Sequence, residues 1–158
     1  MKKALVSVLF LSTVLSLNHS AVGQAASLSL DDQLLQAAKG GDTATVQQLL
    51  AKGANIEARE ADGSTALIGA ALMGDTDVVK LLLDKGANIE ARDKEGWTAL
   101  MEAALDHDPD LARLLLDKGA NMDVKNSEGN TALRVAEDLQ NAAVAKLLRE
   151  RGAQRRKR

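Results

Sequence analysis

Cysteine and tyrosine are absent from this sequence of 158 residues, and proline, tryptophan and phenylalanine occur once each. Without cysteine the chain has no disulfide bonds, no site for a cysteine-linked lipid and no thiolate ligands for zinc. Because aromatic residues make up only 1% of the sequence, we expect a core built from Leu, Ile, Val and Ala. Such side chains suit thin layers of helices that approach one another closely.

The first 25 residues have the organisation of a secretory signal peptide. Lys2 and Lys3 precede an uncharged apolar run over residues 4–17, and a short segment that ends in small residues follows. This run is shorter than the about 20 residues that a membrane-spanning helix needs. We predict that residues 1–25 are removed on export to a bacterial periplasm. The alternative is that they remain as an uncleaved anchor.

Charges of opposite sign separate along the chain. Residues 25–148 contain 21 acidic and 12 basic residues, whereas residues 149–158 contain six basic residues and one acidic residue. An acidic body disfavours binding to nucleic acid, so we expect no nucleic-acid partner. We expect the basic end to be solvated and disordered, with contact to anionic lipid or to nucleic acid as the alternatives.

An interval of 33 residues recurs through the chain. The segment KGANIEAR at residues 52–59 is repeated letter for letter at residues 85–92. Glycine followed by alanine recurs at the same interval, and so does the tripeptide Thr-Ala-Leu. The Gly-Ala pairs begin at Gly53, Gly86, Gly119 and Gly152, and the tripeptides begin at Thr65, Thr98 and Thr131. Self-similarity of this period is typical of a solenoid of stacked repeats.

The repeated segments resemble the ankyrin repeat. The resemblance implies an all-α solenoid of four helix-turn-helix repeats with short hairpin fingers, and a protein that binds another protein without a cofactor. We expect it to act as a monomer. The repeats lie at about 28–60, 61–93, 94–126 and 127–154, and a basic tail follows at 155–158.

The second unit shows how the pattern specifies local structure. Asp62 and Gly63 predict a tight turn, and the Thr65 hydroxyl is placed to cap the first helix. Gly74 should end that helix in the left-handed conformation, and Asp75 should cap the second helix. The apolar positions predicted to face the core are Leu67, Ala70 and Ala71 in the first helix, and Val78, Val79, Leu81 and Leu82 in the second.

The densest polar segment, DHDPD at residues 106–110, has two interpretations. A histidine beside carboxylates suggests a metal site, but the repeat pattern favours a helix boundary, with His107 ending one helix, Asp108 capping the next and Pro109 beginning it. One histidine remains after removal of the signal peptide, and no histidine base lies near Ser64 or Thr65 in the repeat. We therefore predict a protein that is not an enzyme and holds no metal or cofactor.

The resemblance places partner binding on the concave face, which the finger tips and the first helices form. Trp97 stands where the neighbouring repeats have Ser64 and Asn130, so the position does not require an apolar residue. We expect an exposed tryptophan that anchors a partner; the alternative is that it covers the core. The residues predicted to bind a partner are Arg59, Ser64, Leu72, Met73, Arg92, Lys94, Glu95, Trp97, Leu105, Asp106, Lys125 and Asn130.

Two classes of function are consistent with these features. The favoured one is an exported, non-catalytic scaffold that binds one folded protein, either as an immunity or inhibitor protein or as an accessory factor for an envelope stress enzyme. An acidic body suits a partner with a basic cleft. The alternative is a structural protein that tethers a neighbour in the envelope while its basic tail contacts anionic lipid.

Overall fold

The computed structural model describes residues 28–106 and 109–156, and these fold into eight helices that pair as four helix-turn-helix units. The helices are α1 (Leu30–Lys39), α2 (Thr43–Ala51), α3 (Ala66–Leu72), α4 (Thr76–Asp84), α5 (Ala99–Ala103), α6 (Pro109–Asp117), α7 (Ala132–Asp138) and α8 (Ala142–Arg155). Extended structure in this part of the chain amounts to an isolated antiparallel bridge between Arg59 and Thr65. The predicted all-α solenoid is therefore confirmed.

Several predictions concern residues outside the described ranges. The signal peptide at residues 1–25 lies there, as do His107, Asp108 and the last two residues. Pro109 does begin α6, as the helix-boundary interpretation requires. Within residues 28–106 and 109–156, no helix combines the length and the apolar character needed to cross a membrane.

Threonine caps the first helix of units 2 to 4. The side chains of Thr65, Thr98 and Thr131 each accept a hydrogen bond from the backbone N–H three residues on. These bonds satisfy donors that the start of a helix leaves without partners. In the first unit, which lacks the Thr-Ala-Leu tripeptide, Ser29 and Asp32 form a reciprocal capping box instead.

The cap of the second helix varies among the units. Asp42 accepts from the Thr45 N–H at 2.9 Å, and the hydrogen bond from the Thr45 hydroxyl lowers the pKa of Asp42. Asp75 occupies the same position before α4, but its side chain makes no capping bond, so the predicted side-chain cap is wrong. The carboxylate lies against the preceding unit, where a β-carbon on Gly41 would be 2.8 Å from its Oδ1. Burial, and then the charge of Asp77, raise the pKa of Asp75.

The buried core forms one cluster that extends through all four units. Each residue of α3 from Ala66 to Ala71 is buried, and its small side chains let α1 and α5 pack closely on either side. In α4, Val78, Val79 and Leu82 are buried, whereas Leu81 is half-buried. The predicted core positions therefore face the interior, with Leu81 at its margin.

Positive φ angles mark the ends of several helices, where glycine is favoured. Gly74 follows α3 with a φ of 77°, as predicted, and Gln140 adopts a φ of 57° at the matching position after α7. A left-handed residue with a side chain costs roughly 1 kcal/mol, so the packing around Gln140 must impose this turn. The glycines after α2, α4 and α6 have φ angles of 92°, 90° and 93°: Gly53, Gly86 and Gly119.

The basic end of the chain continues α8. Gly152, unlike its counterparts, lies inside this helix, which extends to Arg155. Three ion pairs hold the helix on the acidic body: Arg149 with Glu137 at 2.6 Å, Arg151 with Asp117 at 2.5 Å, and Arg155 with Asp123 at 3.3 Å. The prediction of a disordered basic end is therefore wrong for Arg149 to Arg155. Each ion pair at the surface contributes little to stability by itself. Together, the three pairs give Arg149, Arg151 and Arg155 an acidic partner on the body of the domain.

Candidate protein-binding surface

Three hairpin fingers connect the helix pairs, and they form a continuous row. The fingers are residues 60–64, 93–97 and 126–130, and a backbone hydrogen bond closes each of them. The Lys94 N–H donates to the Asp62 carbonyl at 2.9 Å, and the Ser127 N–H donates to the Glu95 carbonyl at 2.8 Å. Because each finger is bonded to the next, a partner would meet a connected surface rather than three independent loops.

The glutamate of each KGANIEAR copy bonds to the following unit. Glu57 Oε1 accepts from the Asn88 N–H at 2.7 Å, and Glu90 Oε1 accepts from the Asn121 N–H at 2.7 Å. The two acceptors occupy the same place in successive repeats, as do the two donors. The glutamate that both copies share therefore has a structural role, since it makes the same bond to the following unit in each case.

The arginine that ends each copy bridges consecutive fingers. Arg59 Nη1 donates to the carbonyls of Gly63 and Arg92, at 2.7 Å in both cases. Arg92 Nη2 donates to the Lys125 carbonyl at 2.6 Å. Arg59 and Arg92 are predicted to contact a partner, and both are exposed, but their guanidinium groups already bind backbone. Their observed role is to hold the row of fingers together.

The residues at the ends of the fingers are less exposed than the sequence predicts. Ser64 is 7% exposed and offers almost no surface to a partner. Trp97 is half-buried and packs against the hydrophobic core, so the prediction that it is exposed is wrong. The reason is that each finger leads directly into a buried helix, and Asp93 Oδ1 holds the Trp97 N–H at 2.8 Å. Asn130 is also half-buried, and a role for Trp97 as an anchor stays a prediction.

The remaining finger residues predicted to bind a partner are charged and accessible. Lys94 and Glu95 are exposed on the second finger, and Lys125, which immediately precedes the third finger, is exposed as well. Because the fingers are linked through backbone hydrogen bonds, these side chains occupy defined positions along the row. They supply charges of both signs to this part of the surface.

A second group of accessible side chains lies where the first helices end. Leu72 and Met73, at the end of α3, are 47% and 58% exposed, while Leu105 is half-buried and Asp106 exposed. Leu139 is 44% exposed and belongs to this group, although the sequence prediction omits it. The repeat spacing could have identified it, because Leu139 matches Met73 two units further along.

Within residues 28–106 and 109–156, no group of three or more His, Asp or Glu side chains is placed to hold a metal ion.

Glu102 is 2% exposed in α5, where the neighbouring repeats have Gly69 and Val135. Comparison of the repeats could have signalled this buried carboxylate, which the sequence prediction also omits.

The stacked helix pairs and the linked fingers define a repeat solenoid, a class of protein that presents an extended surface to other proteins. A family model described as "Ankyrin repeats (3 copies)" matches residues 34–126 and 91–157. These matches cover most of the sequence, and the chain belongs to the ankyrin-repeat family. A search of curated proteins found no match. The ankyrin repeats make the protein an interaction scaffold, and the family is generally non-enzymatic.

Proposed function

We propose that the protein is an exported, non-catalytic scaffold that binds one folded protein across the row of fingers and the ends of the first helices. The observation that carries this proposal is the presence of exposed apolar side chains, Leu72 and Met73, on the same chain of repeats as the charged finger residues. Protein interfaces combine apolar and polar areas in this way. The bonds between fingers also preorganise the surface, which lowers the entropy lost on binding.

The role of an immunity or inhibitor protein suits the charge of the domain. Residues 25–148 contain 21 acidic and 12 basic residues, and an acidic surface speeds association with a basic cleft. An accessory factor for an envelope stress enzyme is the second role within this function. In either role the protein acts as a monomer in the periplasm after residues 1–25 have been removed.

Capture from a periplasmic extract tests the binding function. The wild-type protein should retain one protein in a fixed ratio, and Lys94→Ala/Glu95→Ala should retain less of it, because both side chains are exposed on the second finger. Circular dichroism of the variant controls for folding. If wild-type protein retains nothing beyond what bare resin retains, the scaffold proposal is wrong.

The intact mass of the exported protein tests whether the signal peptide is cleaved on export. Export with cleavage near residue 25 predicts a species that lacks Phe10, and a periplasmic species that still contains Phe10 would contradict it.

The ion pairs of Arg149, Arg151 and Arg155 with the acidic body speak against a lipid tether. Deleting residues 156–158 should therefore leave the cellular fraction unchanged, whereas loss of membrane association with partner binding intact would favour the tether.

A further inference from the structure

The turns between the two helices of each unit form an edge that crosses all four repeats. A β-carbon on Gly41 would lie 2.8 Å from Asp75 Oδ1, and one on Gly74 would lie 2.8 Å from Asp106 Oδ2. Asn141 Nδ2 donates to the carbonyl of the C-cap residue of α5 at 3.2 Å. Each turn therefore touches the next. We define the loop edge as residues 39–42, 72–75, 105–106 and 138–141.

Exposed apolar side chains are concentrated on the loop edge. Among the described residues, four large hydrophobic side chains are exposed, and three of them lie here: Leu72, Met73 and Leu139. Leu105, between them in the third unit, is half-buried. A row of accessible apolar side chains across adjacent repeats is typical of a surface that another protein covers.

The loop edge is also strongly acidic. It includes one basic residue, Lys39, whose Nζ is 2.5 Å from Glu60 Oε2. Four carboxylates lie on it, one in each unit: Asp42, Asp75, Asp106 and Asp138. Arg134, which flanks the edge, pairs with Asp138 at 3.0 Å. The excess of negative charge favours a positively charged occupant and disfavours the anionic surface of a membrane.

In the first, second and fourth units, the backbone of the loop edge is already bonded within the turn. The Gly74 N–H donates to the Ala71 carbonyl at 3.2 Å, and the Asp75 N–H donates to the Ala70 carbonyl at 3.0 Å. The equivalent bonds occur at Gly41, Asp42, Gln140 and Asn141. An extended peptide would find few free backbone groups to pair with, so recognition must use side chains. A helix presents side chains in this way.

We propose that the loop edge docks a basic, amphipathic helix of the protein partner, an inference that rests on the proposed scaffold function. The apolar face of that helix covers Met73, Leu105 and Leu139, and its lysine or arginine side chains meet the carboxylates of the edge. Packed helices are about 8–10 Å apart, so two repeat steps span roughly 20 Å. An α-helix covers that distance in about 13 residues.

A designed helical peptide of leucine and lysine, labelled with a fluorophore, provides the probe. Fluorescence anisotropy should show saturable binding to the wild-type protein, and Met73→Ser/Leu139→Ser should weaken it at least about tenfold, as expected for loss of interface anchors. Leu30→Ser is the matched control, because Leu30 is the fourth exposed large hydrophobic residue and lies outside the loop edge. It should leave the affinity unchanged.

Charge is tested with a second peptide, in which glutamate replaces every lysine. It keeps the apolar face and should bind at least about tenfold more weakly, and added salt should weaken the lysine peptide because exposed charges are screened. The docking proposal is overturned if the glutamate peptide binds equally well, if Leu30→Ser weakens binding as much as the double variant does, or if the lysine peptide does not bind.

Partner capture separates failure of the docking site from failure of the scaffold function. If a periplasmic partner is lost from Lys94→Ala/Glu95→Ala but retained by Met73→Ser/Leu139→Ser, the scaffold function stands and docking at the loop edge is wrong. If the wild-type protein captures no partner and binds no peptide, both proposals are wrong. Loss of the partner from the loop-edge variant, together with peptide binding that depends on Met73 and Leu139, supports docking at the edge.

Discussion

Replacement of Asn141 by aspartate should destabilise the protein, although the other three repeats carry aspartate at this position. Asp42 and Asp75 stand at the N-caps of α2 and α4, as Asn141 stands at the N-cap of α8. Asn141 is 2% exposed, and its Nδ2 donates to the carbonyls of Ala104 and Asp106. A carboxylate has no proton to donate, so Asn141→Asp would leave both carbonyl oxygens facing a negative charge.

The cost follows from the hydrogen bonds that are lost. A buried acceptor left without its partner costs about 1–3 kcal/mol; the Ala104 carbonyl is such an acceptor, and the part-buried Asp106 carbonyl adds to the cost. Because an aspartate can still accept from the Val144 N–H, the cap itself survives. We expect Asn141→Asp to lower the free energy of unfolding by about 3 kcal/mol, which corresponds to roughly 10 °C in the thermal midpoint. Asn141→Ala loses the same two bonds and the cap as well, so it should cost at least as much as the aspartate variant.

Urea unfolding at pH 7 and native-state hydrogen exchange would measure this effect. The lost bonds join the fourth unit to the third, and neighbouring contacts stabilise each repeat, so the amides of α8 should lose protection first. The loss in free energy of unfolding caused by Asn141→Asp should be smaller at low pH, where the introduced carboxyl gains a proton that it can donate. If Asn141→Asp is as stable as the wild type at pH 7, the inferred contact between the third and fourth units is wrong.

Three further changes test other parts of the structure. Asp75→Asn should raise the thermal midpoint at pH 7, because burial and the charge of Asp77 raise the pKa of Asp75 and so disfavour its ionised form. The gain should vanish at a pH below 3.8, the ordinary pKa of this carboxyl, and a gain that persists there would contradict this origin. Arg92→Ala should cost about 1 kcal/mol in urea unfolding, and lysine should not restore it, since one ammonium cannot reach both the Gly96 and Lys125 carbonyls. Trp97→Ala should cost about 2 kcal/mol in the same assay because the ring packs against the core, and an unchanged midpoint would show that it does not.

The sequence predicted the features that depend on neighbouring residues along the chain. Thr65 caps α3 through an N–H only three residues away, and Gly74 ends the same helix by its own conformational freedom. Leu67 and Val78 are buried because helical periodicity places them on inward faces. The signals for these features are short-range, and the 33-residue interval repeats them in phase.

The sequence was a poor guide to side chains whose surroundings come from other units. Asp75 has the sequence position of a cap, but its carboxylate lies against the preceding repeat. Leu139 is exposed on the loop edge, where the repeat spacing aligns it with Met73, but the sequence prediction does not include it. The exposure of each depends on which atoms the adjacent repeat brings close.

By itself, the sequence determined the family, the number of repeats and the approximate positions of the helices, because caps, turns and apolar periodicity act within about one repeat. Only the tertiary structure decided that Trp97 is half-buried, that Arg59 and Arg92 bind backbone carbonyls, and that Arg149 to Arg155 continue α8. The carbonyls that Arg59 and Arg92 bind across repeats, and the carboxylates that pair with Arg151 and Arg155, belong to neighbouring units. The distances to those atoms exist only once the repeats have stacked.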